Sequence, residues 1–228
     1  GDLYIWEDSL LGEPLQIMAL DDRRILSIDW SSDNESLVAT DSSGDIYIWT
    51  INGNHIQSAS VDYSESTALW SPNNDYIAVV GAGDSLQLRD STNLNERARF
   101  DEFNSTILEV DWHPNGTQIA TIWGRFSQEI RIFDDQTGQM TLRIPRSFTY
   151  TLAWNPDGTI IASSPSNVAL LLRDALSGEI VDTLQGSDEG WFLFAMDWNP
   201  GGNMLATSNG DDVSVWSVDR LEEMNRLQ

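Results

Sequence analysis

Short apolar runs and polar turns alternate along this chain in one repeated order. Five β-prone runs, "ILSID", "STAL", "ILEVD", "TYTLA" and "LFAMD", each stop at a tryptophan: Trp30, Trp70, Trp112, Trp154 and Trp198. A polar turn follows each time, written "SSDN", "SPNN", "HPNG", "NPDG" and "NPGG". Proline fixes φ early in such a turn, and Asn or Gly tolerates the positive φ that closes a tight hairpin. A second apolar run comes next ("LVAT", "IAVV", "IATI", "IASS", "LATS") and then a third ("IYIW", "LQLR", "IRIF", "LLLR", "VSVW"). Turns such as "DDQTG" and "DALSG" lead to a fourth, as in "HIQSAS", "RARF", "MTLRI" and "IVDTL". Each unit therefore predicts four short antiparallel strands.

The tryptophans are spaced 40, 42, 42 and 44 residues apart, a period of the length that four-stranded propeller blades use. A lone four-stranded blade cannot bury its own faces, so its neighbours must do it. A large flat side chain at one repeated position suits the gap between adjacent blades, at about 2–3 kcal/mol per buried aromatic. The five anchors are accordingly read as architecture.

The stretches "LLLRDALSGEIVDTLQG" and "AWNPDGTIIASS" resemble the WD40 repeat, and nearly the whole chain takes part. The position of that family's Trp-Asp dipeptide holds Trp6-Glu7, Trp49-Thr50, Arg89-Asp90, Phe133-Asp134, Arg173-Asp174 and Trp216-Ser217. The Gly-His pair is absent, so the His-Asp network that the resemblance would imply is not expected. The resemblance implies an all-β propeller in a single domain over residues 1–228. Its segments are a half-blade at 1–20 and blades at 21–61, 62–102, 103–145, 146–187 and 188–228. The opening "GDLYIW" matches "GDIYIW" at 44–49, a third strand whose first two are missing. Five blades and a half predict a fragment of a larger ring of six or seven blades.

Composition narrows the chemistry. Thirty-six acidic residues face twelve basic ones, all arginine, for a net charge of −24. A field of that sign repels nucleic acid and anionic membranes. No cysteine is present, which excludes disulfides and thiolate metal sites. No apolar run approaches a membrane span and no leader is visible, so a soluble protein, cytoplasmic or secreted, is expected. No G-x-S-x-G elbow, phosphate-binding loop or H-E-x-x-H occurs. Asp29, Asp111 and Asp197 each precede an anchor on a first strand, where a propeller lines its channel. Three such carboxylates suit a hard cation such as Ca²⁺. Local hydrogen bonding accounts for them as well, since Leu69 and Ala153 fill the same place in the other copies, and no metal site is expected. His113, in a hairpin turn, reads as surface variation.

The function expected is a non-catalytic scaffold presenting a loop face to a protein or peptide partner, with no cofactor, nucleic acid, membrane or small molecule. The alternatives are the accessory propeller of a larger enzyme such as a serine peptidase, and the sensor domain of a bacterial signalling protein. The partner-binding candidates lie in the fourth-to-first and second-to-third links: Arg23, Arg24, Trp123, Arg125, Phe126, Arg146, Phe148, Trp191 and Phe192. Aromatic and Arg side chains are those enriched in binding hot spots, and an Arg cluster on so acidic a surface favours a carboxylate-bearing partner. The charge also sets two expectations for stability. Melting temperature should rise from low to moderate NaCl as self-repulsion is screened over about 10 Å, and a fall would contradict this. Between pH 6 and 8 stability should barely change, because only two histidines titrate there.

Overall fold

The computed structural model describes residues 2–6, 14, 16–19, 23–61, 66–81, 85–100, 106–124, 128–145, 148–165, 169–185, 195–208, 212–218 and 222–227, and no helix occurs among them. Strands β1 (Asp2–Ile5) and β2 (Gln16–Ala19) form a two-stranded sheet. Five four-stranded antiparallel sheets follow in chain order. The first holds β3 (Ile25–Trp30), β4 (Ser36–Asp41), β5 (Asp45–Thr50) and β6 (His55–Ser60). The second holds β7 (Thr67–Trp70), β8 (Tyr76–Val80), β9 (Leu86–Asp90) and β10 (Glu96–Phe100). The third holds β11 (Ile107–Trp112), β12 (Gln118–Trp123), β13 (Glu129–Asp134) and β14 (Met140–Ile144). The fourth holds β15 (Thr149–Trp154), β16 (Ile160–Pro165), β17 (Ala169–Asp174) and β18 (Ile180–Gln185). The fifth holds β19 (Ala195–Trp198), β20 (Met204–Ser208), β21 (Val213–Ser217) and β22 (Glu222–Leu227). These are propeller blades. Residues 1–104 form one compact unit and 105–228 another.

The five tryptophan hairpins close identically. Asn34, Asn74, Gly116, Gly158 and Gly202 all have φ between 61° and 75°. Each donates its N–H to the carbonyl three residues back, on Ser31, Ser71, His113, Asn155 and Asn199, at 2.7–2.9 Å. "DWSSDN" makes the same turn without its proline, so the left-handed residue, and not the proline, sets the geometry. The turns between third and fourth strands rest on the Asp of the Trp-Asp position. Oδ1 of Asp90, Asp134 and Asp174 accepts from the backbone N–H of Thr92, Thr137 and Ser177 and from their hydroxyls. The preceding position tolerates replacement by a different device. Trp216 Nε1 donates to Thr207 Oγ1 at 2.8 Å, whereas the buried Arg89 and Arg173 donate to the turn carbonyls of Leu94 and Gly178 at 2.9 and 3.1 Å.

The cores lie between sheets. In the first unit Val38, Ile46 and Ile48 pack with Trp70, Ile77 and Val79 of the next blade. The alternate residues Leu37, Ala39, Tyr47 and Trp49 meet Leu3 and Ile5 of β1. Period-two alternation thus feeds two apolar faces, which is why β4 and β5 are buried almost end to end. In the second unit Ile122, Ile130 and Ile132 pack with Leu152 and Trp154, while Ala153 and Leu172 on the opposite face meet Trp198 and Trp216. Trp70, Trp112, Trp154 and Trp198 are 5–9% exposed; Trp30, on the first strand of the first four-stranded sheet, is 41% exposed. Trp154→Ala should cost about 3–5 kcal/mol and Trp30→Ala only about 1 kcal/mol, read as shifts in urea midpoint. Equal losses would contradict the view that the anchor acts through the neighbouring blade.

Candidate functional site

In each blade the hairpins of strands one–two and three–four lie at one end, and the two–three turn and the link to the next blade lie at the other. The first strand is an edge strand, so its outward N–H groups have no ladder partner. Here the repeated carboxylates act. Trp70 N–H donates to Asp29 Oδ2 of the preceding blade at 2.7 Å, and Trp154 N–H to Asp111 Oδ2 at 2.8 Å. Where Ala153 stands in place of the carboxylate, Trp198 donates its indole N–H to the Ala153 carbonyl at 3.3 Å. Asp197 is exposed, and among the described residues no three His, Asp or Glu side chains converge to hold a metal ion. Hydrogen bonding across blades therefore accounts for Asp29 and Asp111.

Burying these acids moves their protons. Burial pushes the Asp111 carboxyl up to about 6 against the N–H groups of Trp154 and Trp112, and the charge of Asp197 adds to it. Glu109, two residues back on β11, is pushed up to about 7 by burial and then by Asp111. Asp29 is raised by burial too.

The predicted partner residues divide. Trp123 does not lie in a loop. It ends β12 with its ring 1% exposed, Nε1 bonded to Thr121 Oγ1 and the Arg131 guanidinium 4.9 Å from its ring centre. The strand runs to the final residue of "QIATIW", and pairing with Glu129 turns the ring inward. Arg131 and Arg143 both pair with Glu129, and these pairs hold its carboxyl below the usual range despite burial. Arg23 is also committed: it bonds Asp41, Asp45 and Tyr47. Burial alone would raise the Asp41 carboxyl. The N–H groups of Asp45 and Ser43, together with Arg23 and Tyr47, hold it down instead. Burial and then the bond to Asp41 push the Tyr47 hydroxyl up to about 12. Arg24 and Phe148 are exposed. Phe148 has φ 47° and donates its N–H to the Gln128 carbonyl at 3.3 Å, tying the link after β14 to the two–three turn of the same blade. Arg125, Phe126, Arg146, Trp191 and Phe192 lie outside the described residues.

At the hairpin end, His113 is not surface variation. Its ring lies edge-on to Trp154 at 4.6 Å and covers Gly158 so closely that a Cβ there would stand 2.3 Å from the imidazole. Beside it a groove of about 200 Å³ opens between the third and fourth blades, lined by His113, Gln118, Thr141, Leu142, Gly158, Ala175 and Leu176. Leu176 is 90% exposed, the one large apolar side chain in the turn "DALSG", and that break in composition was the available signal.

Two family models match. The one described as "Eukaryotic translation initiation factor eIF2A" covers residues 93–211, more than half of the chain, and "WD domain, G-beta repeat" covers 12–50. The actin-related protein 2/3 complex subunits 1A and 1B of Arabidopsis thaliana are each 20% identical over 176 residues, 66% of this chain and 47% of theirs. The chain thus spans about half the length of the curated relatives it matches.

Glu109 sets a different expectation from flat stability between pH 6 and 8. Its carboxyl titrates near 4.5 unfolded and about 7 folded, so its stabilising contribution is complete below 4.5 and is lost as pH rises towards 7. The chain should melt at a lower temperature at pH 7.5 than at pH 5.5, and Glu109→Gln should flatten that slope. Identical slopes for the two proteins would rule the assignment out.

Proposed function

We propose that this chain, which belongs to the WD40-like β-propeller family whose model carries the eIF2A description, is a non-catalytic scaffold that binds protein partners through its loops. One observation carries the reading: the polar groups that pair within the fold serve the frame. Asp29 and Asp111 join blades, Arg23 and Asp41 clamp a link, and Arg89 and Arg173 hold turns. Exposed Arg24, Phe148 and Leu176 lie in turns and links, where rigid scaffolds carry binding residues. The curated relatives are by name subunits of a complex, which supports the same reading. A charge of −24 favours a protein partner over nucleic acid. No helix among the described residues is long and apolar enough to cross a membrane.

The partner contact we propose is the link end. Arg24 and Phe148 are exposed there, and Arg125, Phe126, Arg146, Trp191 and Phe192 belong to the same links by sequence. Trp123 and Arg23 support the links from beneath. The bond from Phe148 N–H to Gln128 ties two of these links together within the second unit. With the chain immobilised and retained proteins quantified from extract, Phe148→Ala and Arg24→Glu should each lower partner recovery about fivefold to tenfold. Glu35→Ala, at the hairpin end, should not. Recovery unchanged by both link-end substitutions would place the contact elsewhere.

A further inference from the structure

The groove between the third and fourth blades belongs to neither the blade cores nor the link end. Its floor exists because the turn after β17 leans on β14. Gly178, at φ 75°, sits so close to Ile144 that a Cβ would approach its Cγ1 to 2.8 Å. The wall is apolar where Leu142, Ala175 and Leu176 meet and polar where Gln118 and Thr141 meet. Pockets for drug-sized ligands occupy about 300–1,000 Å³, so a groove of about 200 Å³ takes one large side chain instead. Leu176 at 90% and Met140 at 43% exposure stand open beside it. Burying such surface around a single inserted anchor is how interface hot spots form.

The charges around this groove choose the partner. Asp157 adjoins the lining residue Gly158, Asp174 adjoins Ala175, and Asp134 pairs in register with Gln118. The hydroxyls of Thr159, Ser177 and Thr137 hold these three carboxyls below the usual range, so they are anionic at neutral pH. Every hydrogen bond described for them goes to Oδ1. No Arg is among the described residues that line the groove.

We propose that this groove docks a basic peptide segment of a partner protein, one apolar side chain entering between Leu142 and Leu176 while flanking Arg or Lys pair with Asp134, Asp157 and Asp174. The inference rests on the scaffold reading and adds a second surface, at the hairpin end. Charge pairs of this exposed kind act chiefly on encounter rate and specificity, so the affinity depends on salt.

The test uses the full chain and a fluorescein-labelled octapeptide with one leucine between pairs of arginines, followed by fluorescence anisotropy in low and moderate NaCl. A leucine-to-serine peptide and a peptide with glutamate for arginine complete the set. The leucine peptide should bind, and Leu176→Asp should weaken it about tenfold while leaving melting temperature unchanged, as suits a residue outside the core. The double variant Asp157→Asn, Asp174→Asn keeps the oxygen that closes each turn. It should weaken binding severalfold at low salt and flatten the salt dependence. Ile56→Asp, an exposed site on another blade, should change nothing. Absence of binding by the leucine peptide, equal binding by the serine or glutamate peptide, or indifference to Leu176→Asp would each overturn the proposal. Partner recovery that still depends on Phe148 and Arg24 in that event would leave the scaffold reading standing.

Discussion

Burial between blades is the constraint on which the rest of this structure depends. Each sheet has two apolar faces and no helix among the described residues to cover either, so a blade becomes stable only when the next one is laid against it. The anchor tryptophan does this with its ring, and its backbone completes the contact. A first strand leaves its outward N–H groups unpaired, and burying such a donor unsatisfied costs about 1–3 kcal/mol. Asp29 and Asp111 accept hydrogen bonds from the N–H groups of Trp70 and Trp154. Where Ala153 replaces the acid, the indole N–H of Trp198 turns to its carbonyl. The indole N–H groups of Trp70 and Trp154 have no partner among the described residues. Each of these junctions therefore satisfies one donor of the tryptophan, by one of two routes.

The same economy governs the acidic composition. A charge of −24 reads as a solvated surface, but many of the acids have defined work in the frame. Asp33, Asp90, Asp134, Asp157 and Asp174 accept backbone N–H bonds that close turns, and each is held below the usual carboxylate range by the hydroxyl and N–H donors of its own turn. Asp111 and Glu109 move the other way because they are buried on the first strand of the third blade. Acid titration thus acts on two populations of opposite sign, one set by turn geometry and one by inter-blade burial.

Legibility in the sequence followed the range of the interaction. The hairpins were readable because their determinant is local: a residue able to take positive φ four positions after the tryptophan, which is why the degraded copy at 29–34 forms the same turn. The four-strand grammar was readable because alternation and turn residues are local too. What depends on the neighbouring blade was not. Nothing near Asp111 shows that its acceptor oxygen will meet a proton 43 residues onward. Trp123 looked like a loop residue because the strand end shifts by one position, and that shift decides whether a ring points inward. The partners of Arg23 were not legible, because Asp41 sits one strand away and Asp45 and Tyr47 two.

This division also bears on where function can reside. Positions fixed by the frame cannot vary without loss of packing, so recognition must use the positions the frame leaves alone. The turn after β17 shows the separation within five residues. Asp174 and Ser177 close it, Gly178 supplies its left-handed residue and packs on Ile144, and Leu176 does none of these things. Its side chain is almost fully hydrated, at a cost of roughly 25 cal/mol for each Å² of apolar surface left in water. A polar residue there would close the same turn without that cost. The apolar side chain gains only when something covers it, and the groove beside it, bordered by carboxylates, sets the size and the charge of what can.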